Sequence, residues 1–156
     1  MSKGFVVAEE GHVVMLFSPL AATATAVGSS EVFSMENWGH ATIIMHGGEG
    51  SAACAVKVYE CVGFGGTGET ALTFRFAQEA TSDGDTLDAA LAWASTATMG
   101  TGNVFVVIEI DGDELSDGYQ YLAVNRGATA LGRNVTGLAI LSGGRFQEDI
   151  TATAIA

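Results

Sequence analysis

This chain is poor in the features that mark most well-known classes of protein. Of its 156 residues only six are Lys or Arg, against 18 Asp and Glu, for a net charge of −12. That balance repels phosphate backbones. The cations (Lys3, Lys57, Arg75, Arg126, Arg133 and Arg145) form no cluster, so direct nucleic-acid binding is not expected. Charged residues total 15% and apolar residues 48%, the reverse of a disordered composition. No apolar run approaches the length a membrane helix requires. The opening MSKGFVVAEE lacks the profile of a secretory signal. Proline occurs once and no linker divides the sequence, so one domain spanning 1–156 is expected.

Cysteine is scarce too. Cys54 and Cys61 stand seven residues apart in one expected strand and so point to opposite faces, where they cannot pair. Two unpaired thiols fit synthesis in a reducing cytosol. Catalytic constellations are also missing. No serine sits in a G-x-S-x-G elbow. His12, His40 and His46 are spread over two or three strands, with no acidic partner at a telling spacing and no nearby Cys pair. No catalytic, cofactor-binding or metal-ligating residue is assigned, and no cofactor is expected.

What the chain does have is glycine, 21 residues of it, separating short apolar segments. Asn103–Val124 (NVFVVIEIDGDELSDGYQYLAV) stands at the centre. Val104, Val106, Ile108 and Ile110 point one way, with Phe105, Val107 and Glu109 opposite. A strand so apolar on both sides is expected inside a sheet and covered on both faces. The turn formers of Asp111–Gly118 then predict a hairpin back into Tyr119–Val124.

Gly4–Glu9 and His12–Phe17 suggest an opening hairpin, and Ser18–Ser30 a surface connection. Glu31–Glu36, His40–His46, Ala53–Val62 and Thr70–Ala77 read as strands, the last placing Leu72, Phe74 and Phe76 inward. Asp85–Ala94 is the one helical candidate, with Asp85 as cap and Leu87 and Leu91 four apart. Asn134–Ser142 and Gln147–Ala156 close the domain. Eight or nine short strands predict an all-β fold: an antiparallel sandwich or small jelly-roll-like barrel with at most one short helix. Phe74, Phe76, Val106, Ile108 and Leu122 are the expected core.

Three motifs resemble ligand sites. GFGGTG at 63–68 has the letters of a dinucleotide fingerprint, but the period-two ETALTFRF that follows predicts a strand, not the required helix. Read as a P-loop, it has Glu69 where the phosphate-binding Lys belongs. A strand-to-strand turn is the expectation. Asp111, Asp113 and Asp117 could hold a cation, yet Leu115 replaces an oxygen ligand and no helices flank the loop. Trp38, Trp93, Tyr119 and Tyr121 could line a sugar platform, though aromatics on strands usually pack inside or at interfaces. Asn134-Val-Thr136 is a glycosylation sequon only in a secreted chain.

The order of the segments VFSMENWGHATIIMH (32–46), CAVKVYEC (54–61), LTFRF (72–76), NVFVVIEIDGDEL (103–115), GYQY (118–121) and SGGRF (142–146) resembles small virion structural proteins of tailed bacteriophages. The resemblance implies a non-enzymatic capsid decoration, or cement, protein. Such a protein is made in the host cytoplasm and sits on the capsid surface of the virion against the major capsid protein. A homo-oligomer, a trimer on threefold junctions, is expected, with Met1–Glu10 or Ile150–Ala156 as docking arms. Two other roles stay open: a tail-tube or head–tail connector subunit using the 103–124 hairpin, and a carbohydrate-binding β-sandwich.

Overall fold

The computed structural model describes residues 4–18, 27–50, 52–79, 81–89, 93–128, 133–144 and Ile155. Its elements run α1 (Val7–Glu10), β1 (His12–Phe17), β2 (Gly28–Ser29), β3 (Phe33–Ser34), β4 (His40–Gly47), β5 (Cys54–Cys61), β6 (Thr70–Ala71), β7 (Arg75–Gln78), β8 (Ala97–Met99), β9 (Val104–Asp111), β10 (Tyr121–Arg126) and β11 (Val135–Ser142). One sheet has five antiparallel strands in the order β1-β11-β4-β9-β7. The other centres on the β10–β5 pair, with β2 and β3 against β10, and β6 and β8 against β5. Their inner faces share one apolar core, so the fold is an all-β sandwich. Among the described residues no helix is long and apolar enough to cross a membrane.

Alternation decides which residues enter the core. Ala41, Ile43 and Met45 of β4 are buried, as are Val104, Val106, Ile108 and Ile110 of β9, and Cys54, Val56 and Val58 of β5. Leu72, Phe74 and Phe76 point inward as expected, and Leu122 lies in the same core. GFGGTG turns β5 into β6: Val62 N–H donates to Thr67 O and Gly66 N–H to Gly63 O, while Gly66 and Gly68 hold positive φ.

Four expectations are corrected. β9 and β10 do not form a hairpin: β9 lies between β4 and β7 in one sheet, and β10 beside β5 in the other. Residues 112–120 arch across the sandwich. A capping box between Asp111 and Glu114 starts the arch, and buried Glu60 tethers it by accepting from Ser116 N–H at 2.8 Å and Ser116 Oγ at 2.7 Å. Inward alternation survives such a crossing, so periodicity cannot distinguish it from a hairpin. Secondly, β9 is interior as expected but is not covered on both faces, since Phe105 and Glu109 are exposed.

The helix lies elsewhere than expected. Within 85–94 the described residues are non-helical, with isolated bridges from Leu87 to Glu79 and from Ala94 to Phe74. The one α-helical turn among the described residues is α1, where Gly11 N–H donates to Val7 O, so residues 4–17 do not make a hairpin. The expected closing strand at 134–142 forms as β11, between β1 and β4. Most of the expected 147–156 strand lies outside the described residues; Ile155 bridges Phe33 of the same chain. The expected arm at the N-terminus is described from Gly4 and contains α1.

Candidate functional site

The outer face of the five-stranded sheet is the most distinctive surface of the described structure. The register sets Met15, Leu138, Ile44, Val107 and Ala77 side by side, one residue from each strand, in a row spanning the whole sheet. All five point away from the core: the residues on both sides of Met15, Leu138, Ile44 and Val107 are buried, and so is Phe76 beside Ala77. Val13 and Ile140 widen the row at the β1 end, and Phe105, stacked on His46 at 4.4 Å between ring centroids, widens it beside β9. Met15 is 62% exposed, Val13 54% and Phe105 40%. A sandwich sheet facing water normally carries polar residues on its outer face. This face does not.

One flank of the row is charged. Across β4 and β9, His40 Nδ1 lies 2.7 Å from Asp111 Oδ1, and Nε2 lies 2.7 Å from Glu109 Oε2. Thr42 Oγ1 donates to the same Glu109 oxygen at 2.8 Å and sits 3.3 Å from Nε2. Partial burial pushes the His40 pKa down, but the hydrogen bonds and charges of Asp111 and Glu109 outweigh it, and the net direction is up. A protonated imidazole donates from both nitrogens at once, which is what two carboxylates require.

The hydroxyl, imidazole and carboxylate are superficially arranged like a nucleophile–base–acid triad. Glu109, however, occupies the nitrogen that would take the hydroxyl proton, and that proton points to Glu109. Neither of two cavities of roughly 250 Å³, one lined by Met35, Leu115 and Tyr119, the other by Gln78, Ser82 and Thr101, includes any of these residues. Sequence alone misses the cluster because its members are about seventy positions apart and meet only through the β4–β9 register.

A second missed feature is Arg133, wholly buried just before β11. Its five N–H groups face six backbone carbonyls, some of them shared: Gly48 at 2.7 Å, Gly102 at 2.5 Å, Gly47 at 3.3 Å, Met99 at 3.4 Å, Ala52 at 3.5 Å, and Gly100. The fork ties the β4–β5 loop to the β8–β9 loop. Burial pushes the Arg133 pKa down, the signature of a charge held away from water. Gly47 leaves room for it, since a Cβ there would lie 2.5 Å from the guanidinium. Carbonyl partners have no sequence signature, so nothing in the chain announces this site.

The remaining candidates are not brought together as ligand sites. Among the described residues no group of three or more His, Cys, Asp or Glu is placed to hold a metal ion. In the acidic loop, Asp111 is engaged by His40 and by the capping box. His12 lies near Trp38, ring centroids 5.9 Å apart, and His46 near Phe105. The suggested sugar platform is not assembled. Trp38 is buried, Trp93 lies under Arg75 at 5.0 Å, Tyr119 meets Thr70 at 3.2 Å, and Tyr121 packs on Phe64. Cys54 and Cys61 are both buried and free, and burial raises the pKa of each.

No family model matches the chain, and no curated protein matches it in sequence. A solved structure does match. The crystal structure of the SPBc2 prophage-derived protein YomS aligns with 85% of this chain and 92% of its own, with a TM-score of 0.52 and 16% sequence identity. The two chains share a fold. At that identity the likeness extends to the fold alone.

Proposed function

We propose that this chain is a phage protein, a non-catalytic structural component that decorates the outer surface of the head shell as a homo-oligomer and stabilises it against internal pressure. The observation that carries this reading is the fold shared with a prophage-derived protein along 85% of the chain. It agrees with the resemblance of the segments 32–46, 54–61, 72–76 and 103–115 to small virion structural proteins. An apolar row across one sheet face, in a chain with 15% charged residues, supports a role built on contact surfaces. The acidic charge suits basic patches on a shell, with shape supplying most of the specificity.

The tail-tube alternative rested on a long 103–124 hairpin, and those strands belong to different sheets. The carbohydrate alternative rested on aromatics that are now dispersed. The test is quantitative mass spectrometry of purified particles from the parent phage. Decoration requires a copy number on the scale of the capsid subunits and loss of the protein from shells stripped of their outer layer. A connector-like copy number, or absence from particles, overturns the reading.

A further inference from the structure

We infer that the outer face of the five-stranded sheet is a self-association surface, on which a second copy of this chain stacks face to face about a twofold axis. The occupant follows from the layout of the patch. The Met15–Leu138–Ile44–Val107–Ala77 row crosses all five strands and passes through Ile44 on β4, the middle strand. A twofold axis lying in the face, whether along the row or along β4, places the row on its own copy, apolar against apolar. The contact repeats outside the molecule the sheet-on-sheet packing that forms its core, at the usual spacing of about 10 Å.

A ring of three or more copies would instead use a heterologous contact, which needs a second, different patch complementary to the first. Among the described residues none of comparable continuity exists. The other exposed large apolar side chains are dispersed: Phe5 near the N-terminus, Val27 before β2, Val62 and Phe64 in the β5–β6 turn, and Leu87 and Trp93 in the 79–96 connection. One continuous patch per molecule favours an isologous pair.

Area is consistent with this. Five strands spaced by about 4.8 Å, used over about six residues each, give roughly 500 Å² per copy. Two copies then bury on the order of 1,000 Å², the threshold for specific association, so the dimer should be reversible and dependent on concentration. Arg75, Glu109 and the His40–Asp111 pair lie beside the row rather than in it. Arg75 and Glu109 fall inside this footprint, with Thr42, His46 and Thr136, and only the His40–Asp111 pair is left at a wet rim.

The experiment is sedimentation analysis of the full chain over a wide concentration range, with three variants. Ile44→Asp puts a carboxylate at the centre of the face and should raise the dissociation constant roughly a hundredfold or more, as burial of an unpaired charge does. Met15→Glu changes an edge-strand side chain already 62% exposed, so it tests the same face at little risk to folding. Val62→Asp alters an exposed apolar residue outside the face and should leave association unchanged. Melting curves at dilutions where every sample is monomeric separate folding defects from lost contact. A monomer at all concentrations, a trimer or larger ring, or a dimer indifferent to Ile44→Asp and Met15→Glu would each overturn the inference. Absence from phage particles would remove the proposed role and leave the dimer standing.

Discussion

Replacing Arg133 by Met gives the most direct test of how this sandwich is tied together. The substitution keeps an unbranched side chain of moderate length and removes every donor. Three of the six carbonyl contacts are short, those to Gly48, Gly100 and Gly102, and charged hydrogen bonds of this kind contribute about 1.5–3 kcal/mol each. Two considerations reduce the sum. Gly48, Gly100 and Gly102 are partly exposed, so water can reach some of the abandoned carbonyls. Burying the cation also costs free energy, as the lowered pKa indicates, and that cost disappears with the charge. The net loss should be about 2–4 kcal/mol, an appreciable part of the stability of a domain this size.

Urea unfolding followed by fluorescence of buried Trp38 would measure it, and hydrogen exchange should show local opening around 47–52 and 99–102. Arg133→Lys retains the charge but not the planar fork, and should lose roughly half as much. A loss below about 1 kcal/mol for Arg133→Met, the range of surface changes, would mean that the two loops are held by something else.

Phe74→Ala should cost about 3–5 kcal/mol in the same assay, because that ring is fully buried between the sheets; a change of less than 1 kcal/mol, typical of surface sites, would contradict the core assignment. For His40, NMR titration should give a folded pKa above the ordinary value. Since that pKa is raised, the stability it contributes is fully present below the unfolded pKa and disappears as pH rises through the folded one. His40→Gln should therefore be less stable than the wild type at pH about 5.5, with the difference shrinking as pH rises through the folded pKa. The opposite pH trend would refute the imidazolium bridge. Cys54 and Cys61 should resist alkylation in the native state, because both are buried with raised pKa. Both should react after denaturation without reductant, and a denatured mass lacking both labels would reveal a disulfide.

Composition and period-two alternation were enough to determine the fold class and the core positions of Phe74, Phe76, Val106, Ile108 and Leu122. Leu72, Phe74 and Phe76, and Val104, Val106, Ile108 and Ile110, are buried on the faces their pattern dictates, because alternation is a local property of an extended backbone. Turn chemistry was local too. Gly66 and Gly68 hold positive φ where GFGGTG turns β5 into β6. The described residues of the expected 85–94 helix, 85–89 and 93–94, show the limit of propensity: Leu87 takes a bridge to Glu79 and Ala94 one to Phe74, and pairing overrides the helical pattern there.

Only the tertiary structure decided which strands are partners. Whether Asp111–Gly118 closes a hairpin or arches between sheets depends on pairings with β4, β5 and β7, and alternation is blind to that choice. Everything functional followed from the pairing. Register aligned five apolar residues, at 15, 44, 77, 107 and 138, into one outward row. The same β4–β9 register brought His40 between two carboxylates. Arg133 found backbone carbonyls, partners that carry no residue identity and therefore leave no trace in a sequence. Side-chain type and spacing are written along the chain, whereas adjacency across strands is a property of the sheet.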